Sequence, residues 1–496
     1  MISISLVLFL GTAIRGLLLL DSFTTSILSK YFQSSALQSI LYDPTYTLKS
    51  LKEAIFLSSV DKNGTVTSTL QFEFGNLHPM LLAGIDKLLK MIPSDVTIPG
   101  INVDISEEVV FAIAALIIDL FTALQLYRLA KAVFRVETDR LKFEKVVEQK
   151  MPPQIYPISH SRTFLFGLRF EDDAIFEPPL FSSTNVPILC TMMYYLNPFT
   201  ILTSASGFPS IQGIWVLLFV SALVSSMTGN AIFGGFCVAT LCHFDINYIV
   251  FLLPVALLWR SPLEFHSAEF KKDRPTIKLF LVSFFFWFGI ANAPLLLTAD
   301  PSKIEGDTLG DLVPTDRLTE FVKNFQGSSE PNLGMHWYLQ INLFERFREY
   351  FAVITSSFLY LFIVPLYLRL DNYPMEMIIS FQLLSTVLGS SPTTQDACLS
   401  LALMTLARRS IARMGYAALI CLCALPVPII LYVTFYSMWL ETGNGNANFL
   451  FFQCLAYNLF LGFITIDFIA ATVKRDKALR VTAKKENITI AKVDSM

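Results

Sequence analysis

Residues 178–244 read PPLFSSTNVPILCTMMYYLNPFTILTSASGFPSIQGIWVLLFVSALVSSMTGNAIFGGFCVATLCHF and contain no Asp, Glu, Lys or Arg. A hydrocarbon core of about 30 Å takes roughly 20 apolar residues per helix. This stretch is long enough for three such helices. Gly, Pro, Ser and Asn cluster at Gly207–Gln212 and Ser226–Asn230, and these turn formers divide it. The fold class follows: an all-α polytopic membrane protein.

Working outward gives more spans of the same kind. Ile2–Leu20 is interrupted only by Arg15, and it lacks the charged start and small-residue cleavage site of a signal peptide. Val109–Ala130 carries Asp119 near its middle and Arg128 near its end. Further runs fall at 246–259, 279–298, 350–368, 375–390, 397–407, 414–440 and 448–471. The expected total is about twelve helices, several of them short. The composition of the 496 residues agrees, with 53 % hydrophobic, 16 % charged and 44 Phe. A soluble chain carries about 25 % charge, because its surface faces water. The mean hydropathy is +0.55, and a net charge of −3 argues against a basic nucleic-acid binder.

Positive charge sets the expected orientation. Segment 131–185 holds Lys131, Arg135, Arg140, Lys142, Lys145 and Lys150; segment 260–278 holds Arg260, Lys271, Lys272, Arg274 and Lys278. Arg408, Arg409 and Arg413 share a short turn, and the tail 474–496 is basic. Twelve spans place all of these on one side, expected to be the cytosol. The organisation is then a first helix 1–20, a luminal loop 21–107 with interfacial helices such as Leu77–Met91, and a second helix 108–130. A cytosolic loop 131–185, a multi-span domain 186–473 and the tail 474–496 complete it. The sequon at Asn63 falls in the luminal loop and is a glycosylation candidate, whereas the sequon at Asn487 would be cytosolic.

Enzyme motifs are missing. No GxSxG, HExxH or phosphate-binding GxxxxGK[ST] is present, and the seven Cys form no CxxC pair, so no metal or other cofactor is signalled. The enzymatic alternative is a dolichol-phosphate-dependent glycosyltransferase, which shares the many spans and the long first luminal loop. Such enzymes need an acidic pair in that loop. Asp43, Glu53, Asp61 and the other acids there never stand in D-x-D or E-x-D spacing.

Polar groups at or below the expected luminal edge are the candidate site residues. Arg15 and Asp119 are rare intramembrane charges. Their depths differ by roughly 8 Å at about 1.5 Å per residue, so they can pair; alternatively Arg15 reaches a lipid phosphate. Trp337, Ile341, Phe344, Phe347 and Phe351 recur at helical spacing, which predicts an interfacial helix over 333–348. Glu441–Asn448 joins the last two spans, and its Asn446 and Asn448 either serve a tight turn or offer amides to a head group. Ser391–Asp396 forms another turn and brings a carboxylate, Asp396, to the same layer. Asp467 is expected to pack or snorkel near the other end.

These motifs in register carry a resemblance: Tyr195–Leu202 (YLNPFTIL, with Asn197), Pro331–Gly334 with Trp337 and Tyr338, Phe344-Glu345 with Phe347, Pro392-Thr393 with Asp396, and Asn446–Phe449. Asp119 and Arg15 match more loosely. The set resembles the U-subunit family of the GPI transamidase complex (PIG-U), in a diverged, fungal-type form. The resemblance is strongest from about Pro187 to Arg475; the luminal loop and the long 131–185 loop depart from it. It implies a non-catalytic subunit of an endoplasmic reticulum membrane complex, whose cysteine nucleophile belongs to another subunit. That complex joins a protein's new carboxyl end to the ethanolamine amine of a GPI lipid. It further implies a glycosyltransferase-like membrane fold without catalytic acids, with other transamidase subunits and the GPI lipid as partners. The lipid-binding candidates are Asn446, Asn448, Asp396, Trp337, Tyr338 and Arg15, with Asp119 and Asn197 as intramembrane residues of structural or functional weight.

Overall fold

The computed structural model describes residues 3–22, 34–43, 107–149, 185–206, 212–265, 277–297, 330–371, 373–411 and 413–485. The paired segments 169–171 and 174–176 and a few isolated positions add to these. Asn63, Asn487 and nearly all of segment 77–91 lie outside the described residues.

The described chain is almost entirely helical. Helix α1 is Ile4–Ser22, α2 is Ser35–Leu41 and α3 is Glu107–Gln149. Strands β1 (Arg169–Glu171) and β2 (Ala174–Phe176) form a small antiparallel hairpin. There follow α4 (Val186–Tyr195), α5 (Pro198–Ala205), α6 (Gln212–Thr228) and α7 (Ala231–Phe244). A 3₁₀ turn, Ile246–Phe251, leads into α8 (Leu252–Phe265), and α9 is Ile277–Leu297. The later helices are α10 (His336–Asn342), α11 (Glu345–Leu361), α12 (Ile363–Leu370), α13 (Pro374–Leu388) and α14 (Thr394–Met404). After the single turn α15 (Arg408–Ile411) come α16 (Tyr416–Ala424), α17 (Pro426–Tyr436) and α18 (Ala447–Lys485).

Among the described residues, four helical stretches are long and apolar enough to cross a membrane: Val109–Phe134, Arg346–Leu370, Tyr416–Glu441 and Ala447–Thr482. A fifth forms if α4 and α5, bent by 51° at their junction, count as one span. That is fewer than the twelve the apolar runs suggest, and the reason is length. Asn230 and Asp245 bound α7 at 14 residues, and α6 has 17. At 1.5 Å per residue these reach only about 21–26 Å. The predicted interfacial helix 333–348 is also interrupted: α10 stops at Asn342 and α11 restarts at Glu345, with Leu343 and Phe344 extended between them. Phe347 and Phe351 therefore belong to the long helix. At the other end, α18 continues into the basic tail as far as Lys485.

Packing is that of a membrane bundle. Phe9, Leu17, Val282, Phe285, Leu368 and Ile466 point outward, each more than 60 % exposed. Inside α6, Ser225, Ser226 and Thr228 donate their hydroxyls to the carbonyls of Ser221, Ala222 and Val224 in the same helix. With no water in the hydrocarbon, such groups need an internal acceptor. Small residues let helices touch. A Cβ added at Gly235 of α7 would lie 2.6 Å from Ser283 Oγ and 2.8 Å from Phe284 N of α9, so only glycine permits that crossing.

The α4–α5 bend has a local cause. Pro198 cannot donate a helical N–H, and Asn197 before it is extended (φ −70°, ψ 131°) and accepts from Phe199 N at 3.1 Å as the cap of α5. Asn197→Ala removes that cap and is expected to cost about 1 kcal/mol, read as a lower thermal unfolding midpoint of the detergent-solubilised protein.

Candidate functional site

The bend carries the buried charges. Arg15 and Asp119 are 0 % and 3 % exposed, and their side chains meet at 3.5 Å (Nε to Oδ2). Every arm of the guanidinium is engaged. Nε donates to Ser204 Oγ at 2.7 Å, Nη1 to the Tyr195 carbonyl at 2.5 Å and Nη2 to Thr200 Oγ1 at 3.4 Å. The cation also lies 4.0 Å from the centroid of the Tyr195 ring. Gly11 makes room for that ring, since a Cβ there would sit 2.4 Å from it. Asp119 accepts from Tyr194 OH at 3.5 Å, and Gln395 Nε2 donates to the same hydroxyl at 2.9 Å. Arg15 is thus sealed among helices α1, α3, α4 and α5.

A second knot joins the sequence motifs at one end of the bundle. Asn332 Oδ1 accepts from Gly334 N at 2.8 Å, and its Nδ2 donates to Ser390 O at 3.4 Å. Asn458 Nδ2 of α18 donates to Leu333 O at 2.8 Å, and the Cys454 thiol donates to Asn332 O at 3.2 Å. A Cβ on Gly334 would meet Pro392 Cδ at 2.8 Å. The Pro331–Gly334 and Ser391–Asp396 turns are therefore pressed together against α18. Thr393 and Asp396 form a reciprocal capping box at the start of α14: Thr393 N and Oγ1 donate to Asp396 Oδ2 at 3.1 and 2.7 Å, and Asp396 N donates to Thr393 Oγ1 at 3.3 Å.

On the same end, aromatic residues and amides converge. Trp337 is fully buried, with Trp439 at 6.1 Å and Phe451 at 6.3 Å between ring centroids. Burial also holds the neighbouring His336 imidazole below its usual pKa range, so it stays neutral. Tyr338 stacks on Phe451 at 4.0 Å with rings 12° from parallel, and its hydroxyl donates to Asn448 Oδ1 at 2.6 Å. Asn446 Oδ1 in turn accepts from Asn448 N at 3.0 Å, an Asx turn that starts α18. Both amide oxygens thus have a donor inside the protein, and the outward-facing groups of exposed Asn446 and Asn448 are their NH₂ donors. Gly443, in the left-handed region at φ +68°, lets the chain reverse just before them. Such a surface can donate to phosphate or sugar oxygens beside an aromatic shelf.

Of the six lipid-binding candidates, the structure brings Trp337, Tyr338, Asn446 and Asn448 together. Asp396 is instead occupied by its capping box and borders another cavity, and Arg15 is buried in its ion pair. Asp467, at the opposite end, accepts from Gly415 N at 2.6 Å and caps α16. Sequence reasoning missed Gln212, Asp245 and Gln382, which line the cavity beside Asp396. Asp245 did leave a trace, as the charge that ends the 178–244 run. Among the described residues no group of three or more His, Cys, Asp or Glu could hold a metal.

Comparison with known proteins adds an independent line. The family of the GPI transamidase subunit PIG-U matches residues 9–457 of the chain. The GPI transamidase component GAB1 homolog of Schizosaccharomyces pombe is 24 % identical over 306 residues, 61 % of this chain and 68 % of that protein. The GPI-anchor transamidase component PIGU of Homo sapiens is 21 % identical over 305 residues, 60 % of this chain and 67 % of that protein. The Saccharomyces cerevisiae component GAB1 is 28 % identical over a shorter 137 residues, 28 % of this chain and 34 % of that protein.

Proposed function

Because the chain belongs to the PIG-U family of GPI transamidase subunits, we propose that it is a subunit of a GPI transamidase complex in the endoplasmic reticulum membrane. The family match over most of the chain carries this reading. The role proposed is non-catalytic: the chain recognises the GPI lipid while another subunit supplies the cysteine nucleophile. Buried Cys190 and Cys454 suit packing, since their thiols donate to the carbonyls of Ala402 and Asn332 at 3.3 and 3.2 Å. Lipid recognition is supported by the Tyr338–Asn448–Phe451 cluster, which offers amide donors beside stacked rings where Trp and Tyr favour the head-group boundary. Depleting the protein is expected to leave GPI-anchored precursors uncleaved while complete GPI lipid accumulates. Accumulation of GPI intermediates short of mannose would point to a glycosyltransferase instead.

The proposed membrane arrangement has about twelve spans with both ends in the cytosol, in a glycosyltransferase-like fold. It is supported by the shorter apolar helices Ile4–Leu20, Gln212–Thr228, Ala231–Phe244, Ile246–Trp259, Ile277–Asn292 and Pro374–Leu388, which supplement the longer ones. Helix α14 would complete the set. A glycosylation reporter fused after Met496 is expected to stay unmodified; a modified reporter would put the tail in the lumen and break the scheme.

A further inference from the structure

A second concavity, of about 120 Å³, opens at the Asn446 end between the start of α6, the turn after α7 and the end of α13. Asp43, Asp245 and Asp396 line it together with Gln212 and Gln382, and none of its described lining residues is Lys, Arg or His. An anion would find no cation there among the described residues. Gln212 is fully engaged, donating to Thr393 Oγ1 at 2.7 Å and accepting from Asp43 N at 3.1 Å. Gln382 is different. The residue is only 5 % exposed and lines the cavity, and its amide has no hydrogen-bond partner among the described residues. That amide faces the cavity and is free to pair with a ligand held there.

The carboxylates point the same way. Asp396 uses Oδ2 for both Thr393 donors and leaves Oδ1 without one among the described residues. Asp245 Oδ1 takes one N–H, from Asn247 at 2.9 Å. Burial raises the Asp245 carboxyl above its usual range, and the Asp396 charge adds to that rise. Two acids in one enclosed space repel, and a cation between them removes the repulsion. Size narrows the choice. A cavity of about 150 Å³ holds a benzene ring, so this one suits a group of about four heavy atoms better than a hexose.

We infer that the cavity binds an aminoethyl group, its ammonium between Asp245 and Asp396 and its neighbouring oxygen on the Gln382 amide. Two sources carry that group: an ethanolamine phospholipid and the ethanolamine of the GPI glycan. The second source rests on the lipid-recognition reading above; the site itself does not.

Saturation-transfer NMR on the full chain in its purified complex, held in phosphatidylcholine nanodiscs, tests this with 2-aminoethanol as the probe and ethylene glycol as the neutral control. Transfer is expected to 2-aminoethanol and not to ethylene glycol. Asp245→Asn should weaken binding about tenfold, the scale of one hydrogen bond to a charged group. Gln382→Glu keeps the shape and adds a charge, so it should tighten binding, which a merely disruptive substitution would not do. Equal transfer to both probes overturns the inference, as does an affinity unmoved by Asp245→Asn. Replacing phosphatidylcholine with phosphatidylethanolamine displaces the probe if the source is lipid; displacement by an ethanolamine-bearing GPI glycan alone identifies the anchor. A glycosyltransferase-like depletion phenotype would remove the anchor as source yet leave 2-aminoethanol binding intact, so the two failures are distinguishable.

Discussion

Replacing Arg15 with leucine is expected to cost about 3–5 kcal/mol, enough to deplete the folded protein, because it leaves Asp119 buried without its cation. The geometry gives the reason. Asp119 is 3 % exposed, and without Arg15 only neutral hydroxyls, those of Ser204 and Tyr194 (the latter at 3.5 Å), remain beside it among the described residues. Ser204, Thr200 and the Tyr195 carbonyl would lose a partner at the same time. The double change Arg15→Met with Asp119→Leu should recover most of the loss, since removing both charges of a buried pair is often neutral. Denaturant unfolding of the detergent-solubilised chain measures both. A loss under about 1 kcal/mol for Arg15→Leu alone would mean that water or lipid reaches Asp119.

The second large effect concerns the amides of the last turn. Asn446→Ala combined with Asn448→Ala should weaken GPI engagement roughly tenfold or more, at about 1 kcal/mol for each lost hydrogen bond. Co-purification of GPI lipid with the intact complex is the measurement. The Asx turn from Asn448 N to Asn446 Oδ1 is exposed, so its removal should leave assembly standing. Dissociation of the complex would make the turn structural and sink the assignment. Tyr338→Phe is a useful companion. It removes the donor to Asn448 Oδ1 but keeps the stack on Phe451, so it should have the smaller effect.

Much of this architecture can be read without coordinates, and the reason is solvent. Hydrocarbon admits backbone only as helices or closed barrels, so long charge-free runs such as 178–244 determine an all-helical membrane protein by composition alone. Local rules act through neighbours in the chain, and they too are legible: Pro198 and Asn197 mark the bend, and Thr393 with Asp396 has capping-box spacing. The pairing of Arg15 with Asp119 was within reach because few partners exist for a charge at that depth. Helix bounds were legible where turn formers at 226–230 and Asp245 divide the apolar run, but the break at Leu343–Phe344 inside the expected 333–348 helix was not.

What only the tertiary structure decided is which polar groups share a space. Asp396 and the Asn446–Asn448 turn look equivalent along the sequence, as two turns at one expected depth. Packing separates them. Asp396 lines a cavity with Asp245 and Gln382, while Asn448 sits at the surface, bonded to Tyr338, which stacks on Phe451. Asp245 and Gln382 stand far apart in the chain. Their sharing of one cavity depends on how the 3₁₀ turn after α7 packs on α13, and α13 on α14. Crossing is fixed by side-chain volumes summed over many distant residues, and no local periodicity encodes that sum.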